Sequence, residues 1–277
     1  MADITQKTDV ATNVEAQSAA YRRRTLLWLV VTAILAGLSV RHLGLSWSQF
    51  ADGLAELGEI LGYFVPPGHG GYLDLILWGL AETLAIAFLG TLMAAIASIP
   101  LGFMGARNII PTWLFHFLIR RLFDGVRAID AIIWALIFVG IVGLGPQAGV
   151  LAIAFSETGT LAKLFAEAVE NIDEDQVDGV TTTGANKIEV IRFAIMPQIA
   201  PVFLSHTLYF FESNVRSASI LGIVGAGGIG RLLSERIQGN YWSEVAFIII
   251  VILIAVALVD TLSKELRTRL VGDPAAG

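Results

Sequence analysis

The chain has 277 residues, of which 55% are hydrophobic and only 15% are charged. Soluble domains carry about 25% charged residues, so this composition excludes an ordinary water-soluble fold and indicates an integral membrane protein. At roughly 20 residues for each spanning helix, the length allows roughly five to seven spans. The chain has no cysteine, which excludes disulfides and thiol chemistry, and its four histidines show no metal-ligand spacing.

The first apolar segment runs from Leu26 to Val40 and follows three consecutive arginines. A basic stretch before an apolar run can mark a secretory signal peptide, but no clean small-residue cleavage site follows this one. We therefore predict an uncleaved membrane span. The polar residues 1–24 that precede it lack helical periodicity, and we expect a structureless cytoplasmic tail there.

Residues 44–74 combine apolar side chains at helical spacing with acidic residues on the other face. This pattern predicts a helix that lies in the membrane interface and ends before Pro66. No Lys or Arg occurs between Leu45 and Tyr72, and it is the cytoplasmic loops of membrane proteins that are enriched in these residues. We therefore expect residues 25–74 to hold the first span followed by an extracytoplasmic amphipathic segment.

Five further apolar segments are long enough to cross a membrane, which gives six predicted spans in all. The connection at 103–127, after the second span, carries four arginines. The pair Gly145–Pro146 predicts a tight turn between the third and fourth spans. The five segments cover about residues 73–101, 128–144, 148–165, 199–224 and 245–262. We expect a glycine cluster and a short polar loop between the last two.

Lysine and arginine are distributed unequally over the two sides that these spans define. Fourteen of them fall on the side that holds the two termini, the 103–127 connection and the 163–197 region. The opposite side holds only Arg231 and Arg236. Because the cytoplasmic side of a membrane protein is enriched in these residues, we expect both termini to lie in the cytoplasm.

One polar stretch, Val177–Pro197, interrupts the apolar pattern between the fourth and fifth spans. Its glycines, Gly179 and Gly184, permit a sharp bend, and the apolar residues after Gly184 indicate a second short helix. Pro197 fits the first turn of the fifth span, where its missing N–H costs no hydrogen bond. Two short helices joined by such a bend form a projection that can dock into a groove of a soluble partner. An ordinary interfacial helix is the alternative interpretation.

The fifth span carries charged side chains where lipid contact would forbid them. Glu212 and Arg216 lie four residues apart, hence on one face of a helix, with Asn214 and Ser217 nearby. One interpretation is a self-neutralised pair packed against other helices, and the other is a pathway in which Arg216 helps an anion through. Glu82, early in the second span, is a further buried acid and a candidate partner for Arg216.

A glycine cluster, Gly225–Gly230, follows the fifth span and matches the G-x-G-x-x-G pattern of dinucleotide-binding folds. That pattern requires a preceding strand in a βαβ unit, and here a membrane span precedes it. We expect flexible backbone at the outer end of the span, with Gly225, Gly227 and Gly228 in a substrate pathway. The chain contains no Gly-Lys dipeptide and therefore lacks the usual phosphate-binding loop for ATP.

The Val177–Pro197 stretch resembles the cytoplasmic coupling motif of ABC importer permeases, E-A-A-x3-G-x9-I-x-L-P. Asp178-Gly179-Val180 stands at E-A-A, Gly184 at the glycine, and Ala194-Ile195-Met196-Pro197 at the last four positions. The acid is shortened and both alanines are replaced, whereas the spacing of 13 from glycine to proline is kept. The resemblance implies that eight residues couple the chain to an ATPase: Asp178, Gly179, Thr183, Gly184, Ala185, Asn186, Lys187 and Pro197.

Residues 75–265 resemble the phosphonate-type permease subunits of the same superfamily, whereas the first 74 residues carry little of the likeness. The resemblance implies an all-α integral membrane fold with about six transmembrane helices and a type I importer, MetI-like core. It further implies coupling helices at about 170–197 and a cytoplasmic tail at 266–277. The likeness rests on Glu82–Asn108, Val142–Val150, Lys163–Glu170, Thr183–Lys187, Glu212–Ala218 and Val224–Gly230.

The resemblance also implies a function and a set of partners. The chain would be a homodimeric, multi-pass permease of a bacterial inner membrane that imports a phosphonate or a related phosphorus oxyanion such as phosphite or phosphate. Two ATP-binding cassette ATPase subunits, an extracytoplasmic substrate-binding protein and the lipid bilayer would be its partners, with no nucleic acid among them. ATP and Mg²⁺ would bind to the ATPase partner, so we expect no cofactor, metal or catalytic residue on this chain.

Two other classes of protein fit parts of the pattern. An ion-coupled secondary carrier could use Glu82 or Glu212 as a proton site. An integral membrane enzyme could use Glu82, Glu157 and the histidines as catalytic groups, but these residues share no spacing. Nothing in the enzyme alternative explains the Val177–Pro197 stretch.

Overall fold

The computed structural model describes residues 2–44 and 46–271, with side chains described over 21–44 and 46–269. All regular structure within these ranges is helical. The helices are α1 (Ala2–His42), α2 (Trp47–Gly62), α3 (Leu73–Gly105), α4 (Trp113–Arg127), α5 (Ala131–Val142), α6 (Pro146–Glu170), α7 (Glu174–Thr182), α8 (Lys187–Val190), α9 (Met196–Leu221), α10 (Ile229–Gln238) and α11 (Trp242–Val271). A π-helical turn, Ile191–Ile195, joins α8 to α9, and a 3₁₀ turn, Gly222–Val224, follows α9.

The described residues divide between Gly62 and Tyr63 into two compact units, and the first contains α1 and α2. Neither glycine nor proline occurs between Ala2 and Ala36, so nothing in the sequence interrupts the helical backbone of α1. In the structure the helix begins at Ala2, inside the range for which the sequence suggests a structureless tail. The apolar part of α1, Tyr21–His42, is long enough to cross a membrane.

The amphipathic helix expected before Pro66 is present as α2. It ends at Gly62, and none of its residues is buried. Its large apolar side chains, including Trp47 and Phe50, are exposed within the chain. Such a helix is suited to an interface between water and lipid.

The second unit is built around α3 and α6, which approach closely because small residues line their contact. A Cβ atom added at Gly90 would lie 2.7 Å from the Cβ atom of Ile153. Small residues at such contacts let membrane helices pack without a hydrophobic driving force. α9 joins the pair where Leu161 is buried beside Ala94, with Phe210 packed against both.

The predicted third span, 128–144, differs from the structure. α5 has only 12 residues, a length of about 18 Å, which is less than the hydrocarbon thickness of a bilayer. The Asp130 carboxylate caps its start by accepting a hydrogen bond from the backbone N–H of Ile132 at 2.9 Å. Before that cap lies α4, bent from α5 by 83°. Much of the basic 103–127 connection is therefore an amphipathic helix, and α4 with α5 forms at most one broken span.

The glycine cluster leads into a helix where the sequence predicts a short polar loop. Gly228 has a φ of +79° and directly precedes α10. Ile229 and Leu232 lie on one face of α10 and are buried in a cluster with Ile76 and Ile248. The loop prediction was wrong because the apolar residues of this segment are spaced among polar ones. They are buried only through contact with α3 and α11, which the sequence does not reveal.

The number of spans agrees with the sequence prediction of about six. Across the described residues, five helical segments are long and apolar enough to cross a membrane, and six if α4 and α5 count as one bent span. The fifth predicted span belongs to a helical run over Lys187–Val224, and the sixth to α11. Both are longer than the apolar segments in the sequence, because polar residues continue each helix beyond its hydrophobic part.

Candidate functional site

A projection formed by α7, α8 and the π-helical turn Ile191–Ile195 lies between the fourth and fifth predicted spans. Asp173 caps α7, its carboxylate accepting a hydrogen bond from the N–H of Asp175 at 3.1 Å. Gly184 then turns the chain with a φ of +86°, in the left-handed region that favours glycine. The bend predicted for this stretch therefore lies at Gly184. Gly179 lies inside α7 and does not contribute to it.

The three threonines before the bend all donate hydrogen bonds to carbonyl oxygens of α7. The hydroxyl of Thr181 donates to the carbonyl oxygen of Val177 at 2.8 Å. Thr182 and Thr183 donate in the same way to carbonyl oxygens three residues earlier. Gly179 and Val180 lie in the last turn of α7, where carbonyl oxygens lack i+4 partners within the helix, so the Thr182 and Thr183 hydroxyls supply local donors there.

A capping box starts α8 directly after the bend. The Asn186 side-chain oxygen accepts hydrogen bonds from the N–H groups of Ile188 at 3.0 Å and Glu189 at 3.1 Å. The Glu189 carboxylate in turn accepts one from the N–H of Asn186 at 2.7 Å. This reciprocal pairing fixes the direction in which α8 leaves the bend. Asn186, singled out from the sequence for coupling, therefore has a defined structural role in the projection.

The projection packs on the bundle with one face and leaves apolar side chains on the other. Val177 and Val190 pack against the buried cluster around Phe165. Ile188 and Phe193 are 77% and 62% exposed. Of the eight predicted coupling residues, Ala185 is half-buried and the other seven are exposed: Asp178, Gly179, Thr183, Gly184, Asn186, Lys187 and Pro197.

A polar cluster that the sequence did not reveal holds the end of α6, just before the projection begins. Glu170, the last residue of α6, accepts a hydrogen bond from Arg120 of α4 at 2.7 Å. Its other carboxylate oxygen accepts one from the backbone N–H of Arg107 at 2.9 Å. Asn108 donates to the carbonyl oxygen of Val169 at 2.6 Å. The end of α6 is thereby held to α4 and to the segment after α3, only a few residues before α7 begins.

Glu212 of α9 forms its shortest ion pair with a residue that the sequence assigned to the cytoplasmic tail. Its carboxylate lies 3.1 Å from the Arg267 guanidinium of α11 and 3.8 Å from that of Arg216. The side chains of Glu212, Arg267 and Arg216 are 11%, 26% and 58% exposed. α11 contains neither glycine nor proline, and this continuity is the sequence signal that could have placed Arg267 on a helix beside α9.

The other polar residues of α9 divide between a buried and an uncovered face. Asn214 is buried, and its amide donates to the Thr91 hydroxyl of α3 at 2.9 Å. Ser217 is half-buried and Arg216 is exposed, so both lie toward the face that the described chain leaves uncovered. Asn214 is thus used in helix–helix contact, whereas Arg216 and Ser217 remain accessible.

Glu82 and the glycine cluster lie together around a cavity of about 440 Å³. A Cβ atom added at Gly227 would lie 2.7 Å from a carboxylate oxygen of Glu82, and Gly225 also lines the cavity. Gly228 precedes Ile229, whose N–H donates to the Thr83 hydroxyl at 2.8 Å.

The structure does not pair Glu82 with Arg216, the partner suggested from the sequence. Among the described residues, no ion pair joins the two side chains. Glu82 precedes Thr91 by nine residues, a rise of about 13 Å along α3. Thr91 contacts Asn214 near Arg216, whereas Glu82 lines the cavity beside the glycine cluster. Over the same described ranges, no group of three or more acidic or histidine side chains is arranged to hold a metal ion.

Comparisons with known proteins agree with these features. Residues 98–271 match the family described as binding-protein-dependent transport system inner membrane component. The chain is 38% identical over 216 residues to the phosphite transport system permease protein PtxC of Stutzerimonas stutzeri, covering 78% of each protein. It is 39% identical over 207 residues to the phosphate-import permease protein PhnE of Mycolicibacterium smegmatis, covering 75% of this chain and 39% of that one.

A solved structure shares the fold. A chain of the MetNI methionine ABC transporter in an inward-facing conformation superposes with a TM-score of 0.65 at 20% identity. The match covers 73% of this chain and 99% of the other. The chain therefore belongs to the family of binding-protein-dependent transport system inner membrane components, and it is an ABC transporter permease subunit with a MetI-like fold.

Proposed function

We propose that the chain imports a phosphonate or a related phosphorus oxyanion, phosphite or phosphate, across a bacterial inner membrane. It would act as a homodimer with two ATP-binding cassette subunits and an extracytoplasmic binding protein. Family membership supports the ATP-driven, binding-protein-dependent class. The observation that carries the substrate proposal is the identity of 38% and 39% to permeases named for phosphite transport and phosphate import.

The projection is the proposed contact with the ATPase. Its exposed apolar side chains, Ile188 and Phe193, fit a groove that would remove them from water. The bend at Gly184 and the cap at Asn186 give the projection a fixed shape before it binds. ATP-driven closure of two such partners would then move both projections and, through them, the helices that enclose the pathway.

The pathway is proposed to run along α9 toward the glycine cluster. Arg216 and Ser217 offer a positive charge and a hydroxyl on the uncovered face. Glu82, Gly225 and Gly227 line the cavity at the other end, where Arg231 contributes a second cation. An anion delivered by the binding protein would enter at this cavity and leave past Arg216. These groups would be held in position by Asn214, Glu212 and Gly228.

The orientation is proposed from the distribution of charge. Both termini and the projection would lie in the cytoplasm, and the glycine cluster outside it. A reporter enzyme that works only in the cytoplasm should be active when it is fused to the carboxyl terminus. If a reporter enzyme that works only outside the cytoplasm were active at that terminus, the six-span arrangement would be wrong.

Uptake by reconstituted vesicles tests the proposed function. The permease should co-purify with an ATPase subunit, and vesicles holding both with the binding protein should take up phosphite or a phosphonate when ATP is supplied to the projection side. Sulfate is the control anion, because its size and charge resemble those of phosphate. Uptake that persists without ATP and collapses with an ionophore would instead support an ion-coupled carrier.

A further inference from the structure

Three charged side chains meet where α9 and α11 pack together, and their charges do not cancel. Glu212 supplies one negative charge, and Arg216 and Arg267 supply two positive charges. The Glu212 carboxylate lies 0.7 Å closer to the Arg267 guanidinium than to that of Arg216, from distances of 3.1 and 3.8 Å. A carboxylate buried this deeply requires a cationic partner, and Arg267 is the nearer one.

Arg267 is held in place by more than the ion pair. Its guanidinium lies 5.9 Å from the centre of the Tyr209 ring. Its Nε donates to the Ser263 carbonyl oxygen of its own helix at 3.4 Å. With 26% of its side chain exposed, Arg267 is far less accessible than Arg216 at 58%. These contacts hold the Arg267 charge close to Glu212. Because one carboxylate faces two guanidinium groups, a net positive charge remains, and it is most accessible at Arg216.

Arg216 lies four residues after Glu212, a spacing at which opposite charges on a helix attract each other. If Arg267 lost its charge, Glu212 would keep only Arg216 as a neighbouring cation. The Arg216 guanidinium would then move closer to Glu212 and would no longer offer a free charge. Whether the Arg216 guanidinium is available to an anion therefore depends on Arg267 of α11.

We propose that Arg267 is a positioning residue of the anion pathway, which neutralises Glu212 and so leaves Arg216 free to bind the transported anion. This inference rests on the proposed function, because it requires a negatively charged substrate. It assigns a role in substrate affinity to the polar end of α11, a segment for which the sequence suggested only a tail.

The test compares four variants of the complete transporter in ATP-driven uptake: Arg267→Gln, Arg267→Lys, Glu212→Gln and the double variant Glu212→Gln/Arg267→Gln. The substrate is phosphite, or whichever phosphorus oxyanion the wild type takes up. Arg267→Gln should raise KM about tenfold, the size of one lost charge-assisted hydrogen bond. Arg267→Lys keeps the charge and should recover most of that loss.

The sign of the Glu212 effect separates the proposal from a purely structural role. Removing the carboxylate frees both arginines, so Glu212→Gln should lower KM, and the double variant should reverse the defect of Arg267→Gln. If the pair serves only to join α9 to α11, both single variants should impair transport alike and the double variant should show no recovery. That pattern would overturn the proposal.

Failure of the proposed function gives a different result. A wild-type transporter that takes up no phosphorus oxyanion would refute the proposed substrate before any variant is compared. The melting temperature of each purified variant serves as a second measurement that does not depend on the substrate. A KM that follows the melting temperature across the four variants, instead of following the charge on residues 212 and 267, would also overturn the positioning role.

Discussion

The two ends of α9 are both approached through glycines with positive φ, but their surroundings differ. At the projection, Gly184 has a φ of +86°, and an added Cβ atom would meet nothing within 4 Å. At the opposite end, Gly227 has a φ of +82°, and an added Cβ atom would lie 2.7 Å from Glu82 and 2.9 Å from Pro146. At Gly184, glycine is needed only for the backbone conformation. At Gly227, it is needed for both the backbone conformation and the close packing.

This difference indicates how each end can act. The glycine cluster is enclosed by α3, the turn before α6 and α10, so its shape is fixed by the rest of the permease. The projection instead keeps its shape through local contacts, the bend at Gly184 and the capping box at Asn186. A locally stabilised element with exposed apolar side chains can bind a partner without rearranging the membrane bundle.

The largest effect is expected for Gly227→Val. The side chain would clash with Glu82 and the backbone of Pro146 while forcing a β-branched residue to positive φ, at a cost of about 3 kcal/mol in stability. The melting temperature of the purified protein should fall sharply. Gly143→Val is the matched control, because Gly143 has a φ of +89° in open space, and the substitution there should cost about 2 kcal/mol from backbone strain alone. Equal losses would show that packing at Gly227 is unimportant.

A smaller loss of stability with a large loss of uptake is expected for Gly184→Val. The strain is about 2 kcal/mol, confined to the projection, because nothing surrounds the new side chain. Membrane insertion should remain normal while ATP-driven uptake falls more than tenfold. Gly184→Asn should retain more uptake than the valine variant, since asparagine tolerates the left-handed conformation. Wild-type uptake in Gly184→Val would remove the bend from the coupling mechanism.

Ile188→Ser should weaken binding to the ATPase without destabilising the permease. Burial of this side chain at the interface would contribute about 1.5 kcal/mol, so the ATPase should bind about tenfold more weakly. The dissociation constant of the permease–ATPase complex measures this effect. Leu61→Ser in α2 is the control, because Leu61 is 54% exposed and lies outside the projection. Identical behaviour of the two variants would refute docking through Ile188.

The smallest effect is expected for Asn186→Ala, which removes the cap of α8 at a cost of about 1 kcal/mol. Amide hydrogen exchange at Ile188 and Glu189 should accelerate, because both N–H groups lose their acceptor. Asn186→Asp preserves a capping oxygen and should keep the exchange slow. Unchanged exchange in the alanine variant would mean that the bend alone determines where α8 begins.

Features determined by local sequence could be predicted well. Apolar runs of spanning length indicate the membrane helices, and Gly184 with its flanking residues indicates a bend between two short helices. The cap at Asn186 also depends only on residues within one turn. In each case the relevant neighbours are close in sequence, so periodicity and composition contain the necessary information.

Features that depend on distant neighbours could not be predicted in this way. Arg267 gains its significance from Glu212, a residue 55 positions earlier. α10 is helical because Ile229 and Leu232 meet Ile76 and Ile248, which the sequence does not bring together. The bend between α4 and α5 likewise lies in a region whose arginines suggested a simple connection. Packing between spans, which one sequence does not specify, determines the first two.

The helical run Lys187–Val224 has a mechanical consequence, because it joins the projection to the glycine cluster without a break. At the α-helical rise, its 38 residues correspond to a length of about 57 Å. If the helical run pivots at the buried hydrogen bond between Asn214 and Thr91, it extends about 40 Å from the pivot to the projection and about 15 Å to the glycine cluster. A displacement of the projection would then reach the glycine cluster at roughly a third of its size and in the opposite direction. Spin-label distances at both ends, recorded with and without ATP, would reveal whether the two displacements keep that ratio.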